Sequence, residues 1–365
     1  MKIIFCIGKM NKGGAERVVC NLSNYLSKHH HEVLVVATEI KNTEYAFNKD
    51  VKLLTLPVKA SYGNILKRTF IRLKALHSIF ISERPNIICA FLQEPIARLL
   101  LLKLMSRKVR KIPTIISVRI NPEIAFKGLR KITLPLYGLS EGFVFQTKEI
   151  QQFFNKKIQK RSTIISNPID PSFFDNTKVK RENLIISVGR LTTQKNYPML
   201  LNAFKTISSD YPNLKLEIYG DGELKKDIEK LKNNLGLQDK VFLMGKSNDI
   251  KSKMQKAKLF VLTSDYEGMS NALMEAMALG IPSIATNSVG GGSATLIQNY
   301  KNGILIPIND SKSLVKEIRH ILSNKSLYAN ISKKSKQSMS NYKPEKISKD
   351  WEQYLETIAN KGSKS

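Results

Sequence analysis

The 365-residue chain carries 59 Lys and Arg against 30 Asp and Glu, a formal net charge of +29, with 42% hydrophobic and 24% charged residues. That composition excludes a disordered or fibrous chain, because it supplies enough apolar surface for a large core, and at roughly 100–200 residues per domain it suits two domains. Cys6, Cys20 and Cys89 are too few and too scattered for a disulfide framework or a cysteine metal cluster, and they suit a reducing cytoplasm.

Met1-Lys2 leads straight into Ile3–Ile7, an apolar run that reads as a buried first strand and is too short for a signal peptide. Gly13-Gly14-Ala15-Glu16 opens a helix predicted to reach about Lys28. Strands follow at Glu32–Thr38, Val51–Leu56, Asn86–Ala90, Thr114–Val118, Phe143–Gln146 and Thr163–Ile165. Between them Asn64–Ser82 carries Leu66, Phe70, Leu73, Leu76 and Phe80 at helical spacing, with Lys67, Arg68, Arg72 and Lys74 interleaved. Strands alternating with helices predict a parallel sheet covered on both faces.

The rhythm breaks at Asn167-Pro168-Ile169-Asp170-Pro171 and restarts after the polar run to Asn183. Strands are predicted at Leu184–Val188, Lys215–Tyr219, Val241–Met244, Leu259–Leu262 and Ser283–Thr286. Helices are predicted at Tyr197–Asp210, Glu223–Leu235, Ile250–Lys256, Ser270–Leu279 and Ser311–Ser323. Tyr342–Ala359 reads as a last helix with Trp351, Tyr354 and Ile358 near one face. The expected divisions are residues 1–172, 173–340 and 341–365, the last a helix crossing back to the first domain.

The segment Ser264–Ala276 carries the strongest chemical signal. A strand ends at Leu262, a loop holds Glu267 and Gly268, and a helix begins near Ser270. Backbone amides at such a helix start suit an anion such as a diphosphate, and a carboxylate in the second turn, Glu275, suits a vicinal diol. Read without other context, the same residues make a capped helix with solvated glutamates. Arg190 and Lys195 follow a strand at its carboxyl end, where open α/β sheets bind ligands, and two cations there suit a diphosphate. Asp221 reads as a cap of the following helix.

Two glutamates separated by seven residues, in the context E-G-x-x-N-x-x-x-E-A, resemble the signature of retaining GT-B glycosyltransferases, above all glycosyltransferase family 4. Three other blocks are similar to that family in order and spacing: Met10 to Arg17 to its G-G-A-E-R loop, Ser187 to Asn196 to its V-G-R-L-x-x-x-K-N block, and Ile218 to Leu224 to its G-D-G-x-L block. The resemblance implies an α/β GT-B fold, two doubly wound Rossmann-like domains facing a central cleft. It implies a metal-independent retaining transferase without cofactor, moving sugar from a nucleotide-diphosphate sugar, UDP-linked, to a lipid-linked or glycan acceptor in cell-surface polysaccharide biosynthesis. Glu267, Arg190 and Lys195 then take the catalytic positions. Gly13, Gly14, Gly220, Gly245, Lys246, Met269, Ser270, Asn271 and Glu275 take the donor site.

The chain departs from the family in two places. Arg119, in Ser117-Val118-Arg119, stands where many relatives carry a histidine, and is expected to contact acceptor or sugar. Thr295, after Gly290-Gly291-Gly292, stands where relatives often place an acid. Other GT-B-like enzymes, an epimerase or phosphorylase, remain an alternative, as does a basic nucleic-acid binder, for which no aromatic RNA motif, zinc pair or helix-turn-helix is present. Clusters at Lys67–Lys74, Lys103–Lys111 and Lys127–Lys131 suit an anionic membrane surface, so the chain is expected to be cytoplasmic and peripheral on the inner face of the cell membrane, without a nucleic-acid partner.

Overall fold

The computed structural model describes residues 1–10, 13–40, 45–57, 64–119, 122, 126, 128–175 and 179–362, and for residues 65 and 128–132 the backbone alone. The chain divides into two compact units, Met1–Pro168 with Pro344–Ser365, and Ile169–Lys343.

The first unit is built on β1 (Lys2–Met10), β2 (Glu32–Ile40), β3 (Val51–Thr55), β4 (Ile87–Phe91), β5 (Thr114–Val118), β6 (Gly142–Phe145) and β7 (Ser162–Ile164). Their order is β3-β2-β1-β4-β5-β6-β7, and every pairing is parallel. A parallel sheet is covered on both faces, so its central strands are withdrawn from water along their length; β4 and β5 are buried at every residue, while β3 at the edge is mostly exposed. Along β1, Ile4 and Cys6 enter one core, with Leu76, Phe80 and Leu99 from helices Ile65–Glu83 and Gln93–Met105. Ile3, Phe5 and Ile7 enter the opposite core, with Val18 and Leu22 of helix Gly14–Lys28.

That second core is completed by the last helix, Pro344–Gly362. Ile347, Trp351, Leu355 and Ile358 form its buried stripe, at the spacing of one helix face. Trp351 stacks on Phe91 with ring centroids 5.5 Å apart. Tyr354 ties the helix to the sheet: its hydroxyl donates to the Arg161 carbonyl at 2.7 Å and accepts from the Phe143 amide at 3.0 Å.

The second unit repeats the plan with β8 (Leu184–Val188), β9 (Lys215–Tyr219), β10 (Val241–Gly245), β11 (Leu259–Leu262), β12 (Ser283–Thr286) and β13 (Ile304–Ile306), ordered β10-β9-β8-β11-β12-β13 and parallel throughout. In both sheets the strand order reverses beside the first strand of the unit. The reversal falls between β1 and β4, and between β8 and β11, and ligands of open α/β sheets bind outside the carboxyl ends at such points.

Sequence patterning did not anticipate β13 or helix Lys325–Met339. A strand of three residues has no readable period and is defined by its register, Ile284 against Ile304. The helix is mostly polar and buries only Ile331, Ser335 and Met339. Asp221 caps no helix: its carboxylate accepts from the amide of Gly222 at 3.0 Å, and the next helix, Lys225–Asn234, begins after Leu224 without a side-chain cap.

One member of the expected basic surface belongs to the core instead. Lys103 is 0% exposed, and its ammonium donates to Glu141 at 2.7 Å, to Thr114 Oγ1 at 3.1 Å and to the Ile112 carbonyl at 3.2 Å. Burial lowers its pKa, and Glu141 opposes that shift. Among the described residues, no helix is long and apolar enough to cross a membrane.

Trp351→Ala removes the largest fully buried side chain from the layer the last helix supplies. It should destabilise the first unit by about 3–5 kcal/mol. Urea unfolding followed by circular dichroism reads this, and an unchanged midpoint contradicts the packing role.

Candidate functional site

The second unit gathers most of the expected site residues at the carboxyl edge of its sheet. Gly189 and Arg190 follow β8 directly, and Thr263 to Ser270 follow β11, so the two loops rise on either side of the strand-order reversal. Lys195, on the first loop, forms an ion pair with Glu267 on the second. Their side chains are 11% and 15% exposed, so the pair is largely withdrawn from water.

The neighbours lock this pair. Gln194 Nε2 donates to the Tyr266 carbonyl at 2.9 Å and to Glu267 Oε1 at 3.3 Å, and Ser264 Oγ donates to Glu267 Oε2 at 3.4 Å. Thr263 Oγ1 donates to the Lys195 carbonyl at 2.8 Å, and the Asp265 amide to the Gln194 carbonyl at 3.0 Å. Asn196, left-handed at φ 45°, donates to Asp265 Oδ1 at 2.8 Å and to Asn309 Oδ1 at 2.6 Å. Sequence reasoning missed Gln194, Ser264 and Asn196 as supports, because each is an ordinary polar loop residue until the two loops meet.

The pair is electrically close to neutral, so a ligand anion meets Lys195 already shared with Glu267. Arg190 is different. It is exposed, and among the described residues it has no ion-pair partner. Helix Asn271–Ala278 starts at the same edge, and its peptide dipoles favour an anion. Ser270 is its N-cap, with the hydroxyl accepting from the Leu273 amide at 3.5 Å. Met269 and Ser270 are buried and Asn271 is half-buried. Glu275, in the second turn, is 5% exposed.

Glycines bring these loops together. Gly220, at φ +139°, sits where a Cβ would lie 1.9 Å from the Gly189 carbonyl oxygen. Its amide donates to the Gly245 carbonyl at 2.8 Å, while the Gly189 amide donates to the Tyr219 carbonyl at 2.9 Å. The ends of β8, β9 and β10 are therefore knitted backbone to backbone, with Lys246 exposed just beyond. Gly292, the first residue of the short helix Gly292–Leu296 that carries Thr295, lies where a Cβ would stand 1.5 Å from the Gly268 carbonyl oxygen. Only glycine permits this approach, which seats the triple-glycine loop against the backbone that follows Glu267. Thr295 is exposed and its hydroxyl donates to the Gly291 carbonyl at 2.7 Å.

The remaining candidates lie in the first unit. Gly13 precedes helix Gly14–Lys28 as an N-cap with no side-chain cap, and the carboxylate of Glu16 folds back to where a Cβ of Gly13 would be. Asn11 and Lys12 of the same block lie outside the described residues. Arg119 follows β5, and its Nε donates to Ser117 Oγ at 2.8 Å. Burial pulls its pKa down to about 9. Asn121 lies outside the described residues.

Two family models match the chain: Glycosyltransferase Family 4 over residues 12–173 and Glycosyl transferases group 1 over residues 168–338. Over 99% of both chains it is 27% identical to the Campylobacter jejuni GalNAc-α-(1→4)-GalNAc-α-(1→3)-diNAcBac-PP-undecaprenol α-1,4-N-acetyl-D-galactosaminyltransferase. It is 26% identical to the amylovoran biosynthesis glycosyltransferase AmsD of Erwinia amylovora, over 97% of this chain and 99% of that one. The crystal structure of Anabaena HepE in complex with UDP superposes with a TM-score of 0.78 at 18% identity, covering 98% of this chain and 100% of the other.

Gly292→Ala should force the Gly268 backbone away and cost the second unit about 1–3 kcal/mol. Thermal unfolding by circular dichroism reads the loss. A variant as stable as the parent would mean that the two loops do not depend on their contact.

Proposed function

Because the chain belongs to the GT-B glycosyltransferases of family 4 type, we propose that it moves a sugar from a UDP-sugar to a lipid-linked glycan at a membrane surface, retaining the anomeric configuration and using no metal. The observation that carries this reading is the Lys195–Glu267 pair with Arg190 on the same loop as Lys195, all at the carboxyl edge of the second sheet. Breaking the bond between the anomeric carbon and the diphosphate leaves negative charge on the phosphate oxygens. Arg190, Lys195 and the amino end of helix Asn271–Ala278 offer fixed positive charge to that leaving group, and fixed dipoles are worth most where charge develops. Glu267, held by Lys195, Gln194 and Ser264, faces the donor sugar in this reading, while Glu275 takes the ribose. In the second unit Gly220, Gly245, Lys246, Met269, Ser270 and Asn271 line the donor path, and in the first unit Gly13 and Gly14 are assigned to donor binding by the same family blocks.

The UDP bound to HepE and the undecaprenol-linked substrate of the Campylobacter relative support the choice of donor and acceptor. The first unit takes the acceptor and meets the membrane. Leu66 is 75% and Phe70 66% exposed on helix Ile65–Glu83, and Met105 is 71% and Leu104 48% exposed on helix Gln93–Met105 packed beside it. Exposed Lys67, Arg107 and Lys108 accompany them. Apolar tips ringed by cations suit an anionic interface. Lys127 lies outside the described residues, as do the side chains of Arg130 and Lys131.

Calorimetric titration with UDP tests the donor site. Arg190→Ala should weaken UDP binding by about 10- to 100-fold, the loss of one charged hydrogen-bond partner. Glu267→Gln should lower turnover more than UDP affinity, and Glu275→Gln the reverse. Unchanged UDP affinity in folded Arg190→Ala removes the assignment.

Vesicle sedimentation tests the surface. Binding to anionic vesicles should fall as salt rises, since each Lys or Arg near the surface contributes ~1 kcal/mol and screening removes it. Reversing Lys67, Arg107 and Lys108 to Glu should release the protein without altering UDP binding. Equal binding to neutral vesicles refutes the electrostatic part.

A further inference from the structure

Four neighbouring strands of the first sheet deliver side chains to one place on its carboxyl edge. Phe91 ends β4, Arg119 follows β5, Gln146 follows β6, and Asn167 lies beyond β7. Arg119 Nη1 donates to Asn167 Oδ1 at 2.5 Å, and Gln146 Nε2 donates to the same oxygen at 2.8 Å. The guanidinium lies over two rings, 5.4 Å from the centroid of Phe91 and 5.6 Å from that of Trp351.

Among the described residues this cation has no acid to balance it. Among the described residues no carboxylate lies within ion-pair reach, and its hydrogen-bond partners, Ser117 and Asn167, are neutral. Burial holds the nearby Cys89 thiol well above its ordinary pKa, so it too stays neutral. A withdrawn, unpaired charge is costly and calls for a counter-charge from elsewhere. The hydrogen-bond inventory is also incomplete in two complementary places. Arg119 Nη2, a donor, and Gln146 Oε1, an acceptor on a side chain 3% exposed, are both buried without partners among the described residues. A ligand that completes both brings an acceptor oxygen, anionic so that it also balances the guanidinium, and a donor such as a hydroxyl for the amide oxygen. A sugar phosphate carries both.

We propose that Arg119 and Gln146 form a sugar-phosphate subsite in the first unit, Arg119 taking a phosphate oxygen and Gln146 a sugar hydroxyl, with Trp351 of the last helix as the positioning residue that holds the guanidinium. The presence of a sugar phosphate at this edge rests on the glycosyl-transfer reading above; the binding itself does not. Two sources share the chemistry, the donor nucleotide sugar and a lipid-linked sugar diphosphate.

Trp351 is the single tryptophan of the chain, so its fluorescence reports on Arg119 without labelling. The full-length protein is titrated with N-acetylglucosamine 1-phosphate, inorganic phosphate and free N-acetylglucosamine. The sugar phosphate should give a saturable change at lower concentration than either half. Arg119→Lys, which keeps the charge and loses the fork, should weaken it about tenfold, and Arg119→Gln should abolish it. Gln146→Leu should weaken the sugar phosphate and leave inorganic phosphate unchanged. If Arg119→Gln does not fold, as judged by its melting curve, Arg119→Lys and Gln146→Leu decide. Repeating the titration in Arg190→Ala separates this signal from the second unit. UDP-N-acetylglucosamine against farnesyl-diphosphate-linked N-acetylglucosamine then identifies the source, the one that moves Trp351. Titrations that are the same in the parent, Arg119→Lys and Gln146→Leu overturn the subsite. Failure of UDP to bind the parent would sink the donor reading while leaving this result to stand by itself.

Discussion

Every strand pairing in both sheets is parallel, and a parallel strand can be entered only from the end at which its neighbour was entered. The chain must therefore return along the outside after each strand. Helices cover both faces, all strands begin at one edge, and all end at the other. The faces fill with Ile, Val, Leu and Phe, leaving the edges as the places where polar chemistry can collect. Because the order runs outward in both directions from β1 and from β8, the crossovers part beside those strands and leave the carboxyl edge accessible there. Arg190, Lys195 and Glu267 stand at one such edge, and Arg119, Gln146 and Asn167 at the other.

Charge is handled differently at three depths. On the surface it is in excess, and the chain as a whole carries +29. In the core it is matched: Lys103 is kept out of water by a carboxylate, a hydroxyl and a backbone carbonyl together, which is what a buried ammonium requires. At the carboxyl edges the balance is deliberately uneven. Lys195 is matched by Glu267, whereas Arg190 and Arg119 have no carboxylate among the described residues. Positive charge held in place without an internal partner is positive charge available to a phosphate.

Glycine does for the loops what apolar periodicity does for the strands. Gly220 against Gly189, and Gly292 against Gly268, allow main chains to touch where any Cβ would intrude. The loop after β9 thereby rests on the loop after β8, and the triple-glycine loop after β12 rests on the backbone that follows Glu267. The site is supported from both sides by contacts that involve no side chain.

The sequence by itself determined the alternation of strand and helix, since runs such as Ile3–Ile7, apolar at every position, and Leu184–Val188, apolar but for Ser187, are bounded by turns. It also placed Arg190, Lys195 and Glu267 beside strand ends and Glu275 in the second turn of the helix that follows, because local order and spacing carry that information. Tertiary structure alone decided which charges meet. Lys195 and Glu267 lie 72 positions apart, Lys103 and Glu141 38 apart, and Arg119 and Asn167 48 apart. Nothing in the composition separates Lys103, sealed in the core, from Lys108, exposed on the next short helix. β13 exists only through its partner β12. Periodicity records which side of an element is buried, while the partner of a given side chain depends on how strands from distant parts of the chain are ordered in the sheet, and that order is a property of the packed whole.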